Sequence, residues 1–140
     1  MAIYYPARIT TQEGGGFLVQ FVDLADTFTE GDTLDEALFN AAEVLSGMAQ
    51  WHLDEGHTLP APTAGLADAD VHYVTPDAKT QAALLLRNAR GTRSFADLAR
   101  ALETSWPAAK RLEDASHWPS LKTLDRAARV LGKRLVLSFE

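Results

Sequence analysis

The sequence predicts an α+β protein of two modules, a small sheet carrying one long helix and then an all-α domain that closes with a terminal β-strand. Three observations carry that expectation. Apart from the last few residues, period-two apolar alternation is confined to the chain before Pro76, and helical spacing dominates beyond it. The charges are sorted in the same way: residues 1–77 hold one base, Arg8, against thirteen acids, a net of −12, whereas residues 78–140 hold twelve Lys and Arg against six acids, a net of +6. Pro76 stands where both patterns change, which sets the modules at residues 1–76 and 77–140.

In the first module, Ile3 to Thr11 and Phe17 to Leu24 are rich in β-branched and aromatic residues, and Gly14, Gly15 and Gly16 between them predict a hairpin. Phe17, Val19 and Phe21 share one face of the second strand, and Gln20 interrupts the other. A short third strand is expected over Thr27 to Glu30. Thr33 with Glu36 three residues later makes a capping box, so a helix should start there, carry Leu34, Leu38, Ala41, Leu45 and Met48 towards the sheet, and stop at Gly56. Thr58 to Asp70, with Pro60, Pro62 and Gly65, reads as an irregular connection before a last strand at Val71 to Val74.

In the second module a helix is expected from Ala78 to about Arg90, ended by Gly91. Ser94 with Asp97 opens a short helix with Phe95, Leu98, Ala99 and Leu102 on one face. Ser105 caps the next, from about Trp106 to Ala115, and Pro107 is tolerated in its first turn. A final helix spans roughly Ser120 to Leu131, and Arg134 to Glu140 then alternates as a strand through Leu135, Leu137 and Phe139.

Composition narrows the chemistry. The absence of cysteine removes disulfides, thiolate metal sites and cysteine nucleophiles. No apolar run approaches the roughly 20 residues that span a bilayer, and the first residues lack a signal-peptide layout, so a cytoplasmic protein without a membrane partner is expected. The basic half suits phosphate; the acidic half suits a basic protein.

The two short helices after Ser94 and Ser105 have the spacing of a helix-turn-helix. With Ala109 and Leu112 inward, Pro107, Lys110, Arg111 and Asp114 point outward. Lys110 and Arg111 are the leading candidates for contact with DNA, since Arg takes guanine bidentately and Lys holds phosphate or guanine. Ser105 and Trp106 at the start of that helix join the candidate DNA-binding set, and Arg93, Arg100 and Lys122 are candidates for the phosphate backbone.

Ser94-Phe95-Ala96-Asp97-Leu98-Ala99-Arg100-Ala101-Leu102, then Ala109-Lys110-Arg111-Leu112-Glu113, then Pro119-Ser120-Leu121-Lys122-Thr123-Leu124 with Ala127, Ala128 and Leu131-Gly132, resembles the Cro/Xre-like helix-turn-helix of bacterial repressors. Phe95 departs from that family's usual phosphate-binding Gln, and Trp106, Pro107 and Ala108 replace small polar residues. In the first module, Gly15 to Leu24, Phe28-Thr29-Glu30-Gly31-Asp32-Thr33-Leu34-Asp35-Glu36-Ala37 and the later Leu59-Pro60-Ala61-Pro62 resemble the HicB antitoxin family. That resemblance implies a partial RNase H-like module that masks a small basic HicA-type, RNA-cleaving toxin, together with operator double-stranded DNA binding and homo-oligomers, dimer or tetramer. Asp23, Glu30 and Asp32 are the candidate toxin-facing residues, and the terminal strand is the candidate pairing element between subunits.

An enzyme is not expected, and neither is a cofactor. Asp23, Asp26, Asp32 and Glu36 are numerous enough for metal-dependent hydrolysis, but they cluster at a turn and a helix cap, where acids have structural reasons to be. His52 and His57 are not spaced to put both rings on one helical face. Trp51 and Trp118 have no functional pattern. A stand-alone transcription regulator with a ligand-sensing first module is the alternative reading; a residual nuclease is a third.

Overall fold

A computed structural model describes residues 3–140, and the chain divides into two compact units, one ending at Asp77 and the other starting at Ala78. The division of charge at residue 77 therefore coincides with a division of structure.

The first unit holds β1 (Tyr5–Thr11), β2 (Phe17–Phe21), β3 (Phe28–Gly31), α1 (Leu34–Asp54) and β4 (Val71–Val74). The strands form one antiparallel sheet in the order β3-β2-β1-β4. Gly14, Gly15 and Gly16 turn the β1–β2 hairpin with φ of 87°, 104° and 87°, a region closed to most side chains. The hairpin sets Ile9 opposite Val19 and Ala7 opposite Phe21, so the apolar alternation of both strands falls on one buried face. β2 ends three residues before the expected Leu24 because the chain turns there, with Asp26 in a left-handed conformation.

α1 starts at its expected cap: Thr33 accepts a hydrogen bond from the Glu36 amide at 3.1 Å. The row it turns inward keeps Ala41 and Leu45 of the expected one but not its ends. Ala37, Ala41, Leu45 and Ala49, spaced by four, are fully buried, whereas Leu34 is exposed and Met48 only half-buried. At Ala37 the reason is closeness. A Cβ on Gly31 would lie 2.4 Å from the Ala37 amide nitrogen, so the backbones of β3 and α1 nearly touch and only small side chains fit between them. Full burial of Val19 and Leu45 contributes about 1.5–3 kcal/mol each to this layer.

The second unit is α2 (Ala78–Arg90), α3 (Phe95–Ala101), α4 (Trp106–Arg111) and α5 (Leu121–Val130). Ser94, Ser105 and Ser120 cap the last three, accepting from the amides of Asp97, Ala108 and Thr123. α5 ends in a Schellman turn: Lys133 N–H donates to Ala128 O and Gly132 N–H to Arg129 O, with Gly132 at φ 73°. Leu86, Leu98, Ala99, Leu102, Ala109, Leu112, Ala127 and Leu131 make the core.

Two expectations are corrected here. α4 ends at Arg111, short of Ala115, because the Asp114 carboxylate takes both the amide and the hydroxyl of Ser116, at 2.9 and 2.6 Å, and draws the chain into a turn. The terminal β-strand is not formed in the single chain either. Residues 133–140 are not assigned to a strand, and Val136, Leu137 and Phe139 are exposed, so the apolar alternation joins no sheet among the described residues.

Candidate functional site

α3 and α4 are joined by only Leu102 to Ser105, with Glu103 in a left-handed conformation at φ 54°. This tight connection brings the two helices into contact and turns the polar face of α4 outward. Lys110 and Arg111 lie exposed in its last turn. Trp106, one turn earlier, is half exposed, and the Lys110 ammonium sits 5.2 Å from its ring centroid, a cation–π contact. Ser105 stands at the same helix start, where its hydroxyl accepts from the Ala108 amide at 3.2 Å.

The other basic candidates stand on different elements. Arg93, between α2 and α3, is exposed and reaches the Val130 carbonyl at 3.4 Å. Arg100 pairs with Asp97 one turn back on α3. Lys122 is exposed in the first turn of α5. Asp114, expected to point outward, is half-buried instead and occupied by Ser116. That hydroxyl is the main reason its carboxyl is held below the usual value, with the Ser116 amide, His117 and Arg111 acting in the same direction.

Beneath this face lies a constellation that the sequence did not reveal. Glu113 is buried and accepts from Arg90 Nε at 2.5 Å and Nη2 at 3.0 Å, while Arg87 stands 3.9 Å away. The Arg90 guanidinium also lies 4.1 Å from the Phe95 ring centroid, and Phe95 meets Trp106 edge to face at 5.8 Å. Phe95 thus links the Arg90–Glu113 pair to Trp106 and Lys110. The missed signal was spacing, since Glu113 lies four residues after the buried Ala109 and so shares its inward face.

In the first unit the three acidic candidates are not brought together. Glu30 and Asp32 are exposed at the start of the β3–α1 corner, where Gln12 donates to Glu30 at 3.2 Å. Asp23 lies in the β2–β3 connection, at the far end of β2 from the Phe17–Gly31 pair. Its two carboxylate oxygens accept from the Thr63 amide at 2.8 Å and hydroxyl at 2.6 Å. Tyr5 donates to Pro60 O at 2.6 Å and Tyr73 to Thr63 O at 2.7 Å, so the Leu59-Pro60-Ala61-Pro62 stretch and its sequel are tied to the sheet by three side chains. Burial first, and then the charge of Asp23, raises the Tyr5 phenol above its ordinary value.

Arg8 bonds to Asp70 at 3.1 Å and to Asp68 at 3.2 Å on an exposed part of β1, so the one base of this unit is already neutralised locally. Among the described residues no three acids or histidines gather to hold a metal ion, and no helix is long and apolar enough to cross a membrane. His52 and His57 instead cluster with Trp51, with ring centroids 5.1 and 5.2 Å from it and 5.8 Å from each other. Burial, and then the neighbouring His57, lowers the affinity of His52 for a proton.

Comparison with known proteins adds an independent observation. Residues 4–79 match a family model described as the HicB-like antitoxin of bacterial toxin–antitoxin systems. Over nearly the whole chain there is similarity to antitoxin HicB of Escherichia coli K12, 27% identical over 135 residues, 95% of this chain and 96% of that protein. Antitoxin HicB of Pseudomonas fluorescens Pf0-1 is 30% identical over 131 residues, 92% and 89% of the two chains. Antitoxin HicB 2 of Photorhabdus laumondii is 33% identical over 135 residues, 95% and 94%.

Proposed function

The chain belongs to the HicB-like antitoxin family of bacterial toxin–antitoxin systems, and from that membership we propose that it binds and masks a small basic HicA-type toxin through its first unit and represses its own operon through its second. The observation that carries this reading is the coincidence of two compact units with opposite charge, −12 up to Asp77 and +6 beyond it. An acidic unit attracts a cationic protein and repels nucleic acid; a basic one does the reverse.

We read the sheet with its single covering helix as the partial RNase H-like module, without catalysis of its own, and α3–α4 as a Cro/Xre-like helix-turn-helix in the cytoplasm. α4 is then the recognition helix. Lys110 and Arg111 reach base edges or phosphates, Trp106 holds the Lys110 stem in place, and Ser105 lies at the helix start facing the backbone. Arg93, Arg100 and Lys122 grip phosphates, Arg100 by exchanging Asp97 for a phosphate oxygen. Operators read by such modules are two-fold symmetric, which calls for a homo-oligomer, and the exposed alternation through Val136, Leu137 and Phe139 suits strand pairing between two copies.

Co-expression with the toxin encoded beside the gene tests the first role, and a mobility shift of the operon's own promoter tests the second. Growth rescue, a co-purifying pair and a salt-sensitive DNA complex are expected. Absence of any association with the toxin rejects the antitoxin role; that absence together with intact promoter binding is the result a stand-alone regulator gives.

A further inference from the structure

α1 carries a second row spaced by four, offset by two residues from the row it buries. Phe39, Glu43, Gly47 and Trp51 form one continuous ridge along its outer surface, spanning about 18 Å at 1.5 Å per residue. All four are exposed, Phe39 at 65% and Trp51 at 51%, so one face of one helix presents two large uncovered rings. Trp51 is also braced without being covered, because its ring meets His52 and His57 edge to face in a three-ring cluster whose histidines contact each other at 5.8 Å.

Gly47 interrupts the ridge. Glycine is the poorest helix former after proline, yet nothing inside this unit requires one: its φ is ordinary, and a Cβ built on it meets nothing within 4 Å. Gly31 has a packing reason to be glycine; Gly47 has none within the chain. What it provides is a notch between two exposed aromatic anchors, into which a ridge of another helix or the edge of another protein can settle.

We infer that this ridge is the docking face for the cationic toxin, with Phe39 and Trp51 as anchors, Gly47 as the notch and Glu43 as the ion-pair partner between them. The inference rests on the antitoxin reading and moves the centre of contact away from Asp23, whose carboxylate is already occupied by Thr63. Charge selects the occupant. The 21 residues of α1 contain Asp35, Glu36, Glu43 and Asp54 and no Lys or Arg, so two copies of this face would repel one another, whereas Lys or Arg of a basic partner can pair with Glu43 and lie over Trp51. Exposed Trp ringed by polar groups is the residue type that most often dominates such an interface.

The test uses the full-length chain and the purified cognate toxin immobilised at about physiological salt, where surface charges act over roughly 8 Å. Gly47→Gln fills the notch without adding charge and improves helix propensity, so its melting temperature should hold or rise while toxin affinity falls at least tenfold. Phe39→Ser with Trp51→Ser should lower affinity at least a hundredfold, leave the far-ultraviolet circular dichroism intact and leave promoter binding unchanged. Wild-type-like toxin binding by both variants overturns the inference while the antitoxin reading stands. A wild-type chain that ignores the toxin rejects that reading itself. Variants that change only the sedimentation of the chain alone show a second copy on the ridge, which also overturns the inference.

Discussion

Arg90 holds Glu113 through two hydrogen bonds, Nε to Oε2 at 2.5 Å and Nη2 to Oε1 at 3.0 Å, in a pair that is almost wholly withdrawn from solvent. It joins the last turn of α2 to the second residue beyond α4, and Phe95 of α3 covers the guanidinium. Three helices of the second unit are thereby fixed around one charge pair.

Removing one member of that pair strands the other. Glu113→Gln should destabilise the second unit by about 3 kcal/mol, since breaking a buried ion pair leaves an uncompensated charge. Arg90→Met combined with Glu113→Leu should recover most of the loss. Urea denaturation followed by far-ultraviolet circular dichroism measures both; a Glu113→Gln midpoint equal to wild type would show that the pair is not structural.

Gly31 and Gly47 should respond oppositely to the same substitution. Gly31→Ala drives a Cβ to 2.4 Å from the Ala37 amide and must push β3 and α1 apart, at a cost of about 1–3 kcal/mol or more. Gly47→Ala meets open space in a helix and should stabilise by up to about 1 kcal/mol. Thermal melts of the two variants give the comparison directly.

Asp23→Ala should free the proline-rich connection without disturbing the sheet. The Thr63 amide loses its acceptor and its hydrogen exchange should accelerate strongly, while the Val19 amide inside the sheet keeps its protection. Equal acceleration at both sites would mean that Asp23 supports the whole unit.

Asp114 sets a pH dependence of known sign. Its carboxyl is held below the ordinary 3.8, chiefly by the Ser116 hydroxyl, so the unfolded chain binds the proton more readily than the folded one. The stabilisation is therefore complete above about 3.8 and is lost as pH falls through the lower folded value. Ser116→Ala should move the Asp114 titration, followed by carboxyl NMR, back towards 3.8 and flatten this part of the stability profile.

Much of the fold was legible because local signals acted alone. The Thr33, Ser94 and Ser105 caps, the triple-glycine hairpin and the period-two face of β2 each depend on a few neighbouring residues. Where two effects competed, sequence reasoning chose the wrong one. Ala41 and Leu45 were read correctly as inward on α1, but hydrophobic weight also favoured Leu34 and Met48, and in their place Ala37, beside the close approach at Gly31, and Ala49 are buried. The end of α4 was decided by Asp114 and Ser116, a side-chain contact that periodicity ignores. The alternation through Leu135, Leu137 and Phe139 meets no neighbouring strand among the described residues, so the chain alone does not make it one. Around the candidate site, the outward exposure of Lys110 and Arg111 was readable from helical phase, whereas the roles of Phe95 and Glu113 in packing emerged only once α2, α3 and α4 were seen to meet.

The division of labour between an acidic and a basic unit is tested most directly by titrating the full-length Lys110→Ala, Arg111→Ala double variant against both partners, promoter DNA and the cognate toxin, in the same buffer. Both side chains are exposed on α4, so folding should be unaffected. Promoter affinity is expected to fall to the level of nonspecific DNA, and toxin affinity to stay within twofold of wild type. Loss of both interactions together, or an unchanged promoter complex, would contradict the account.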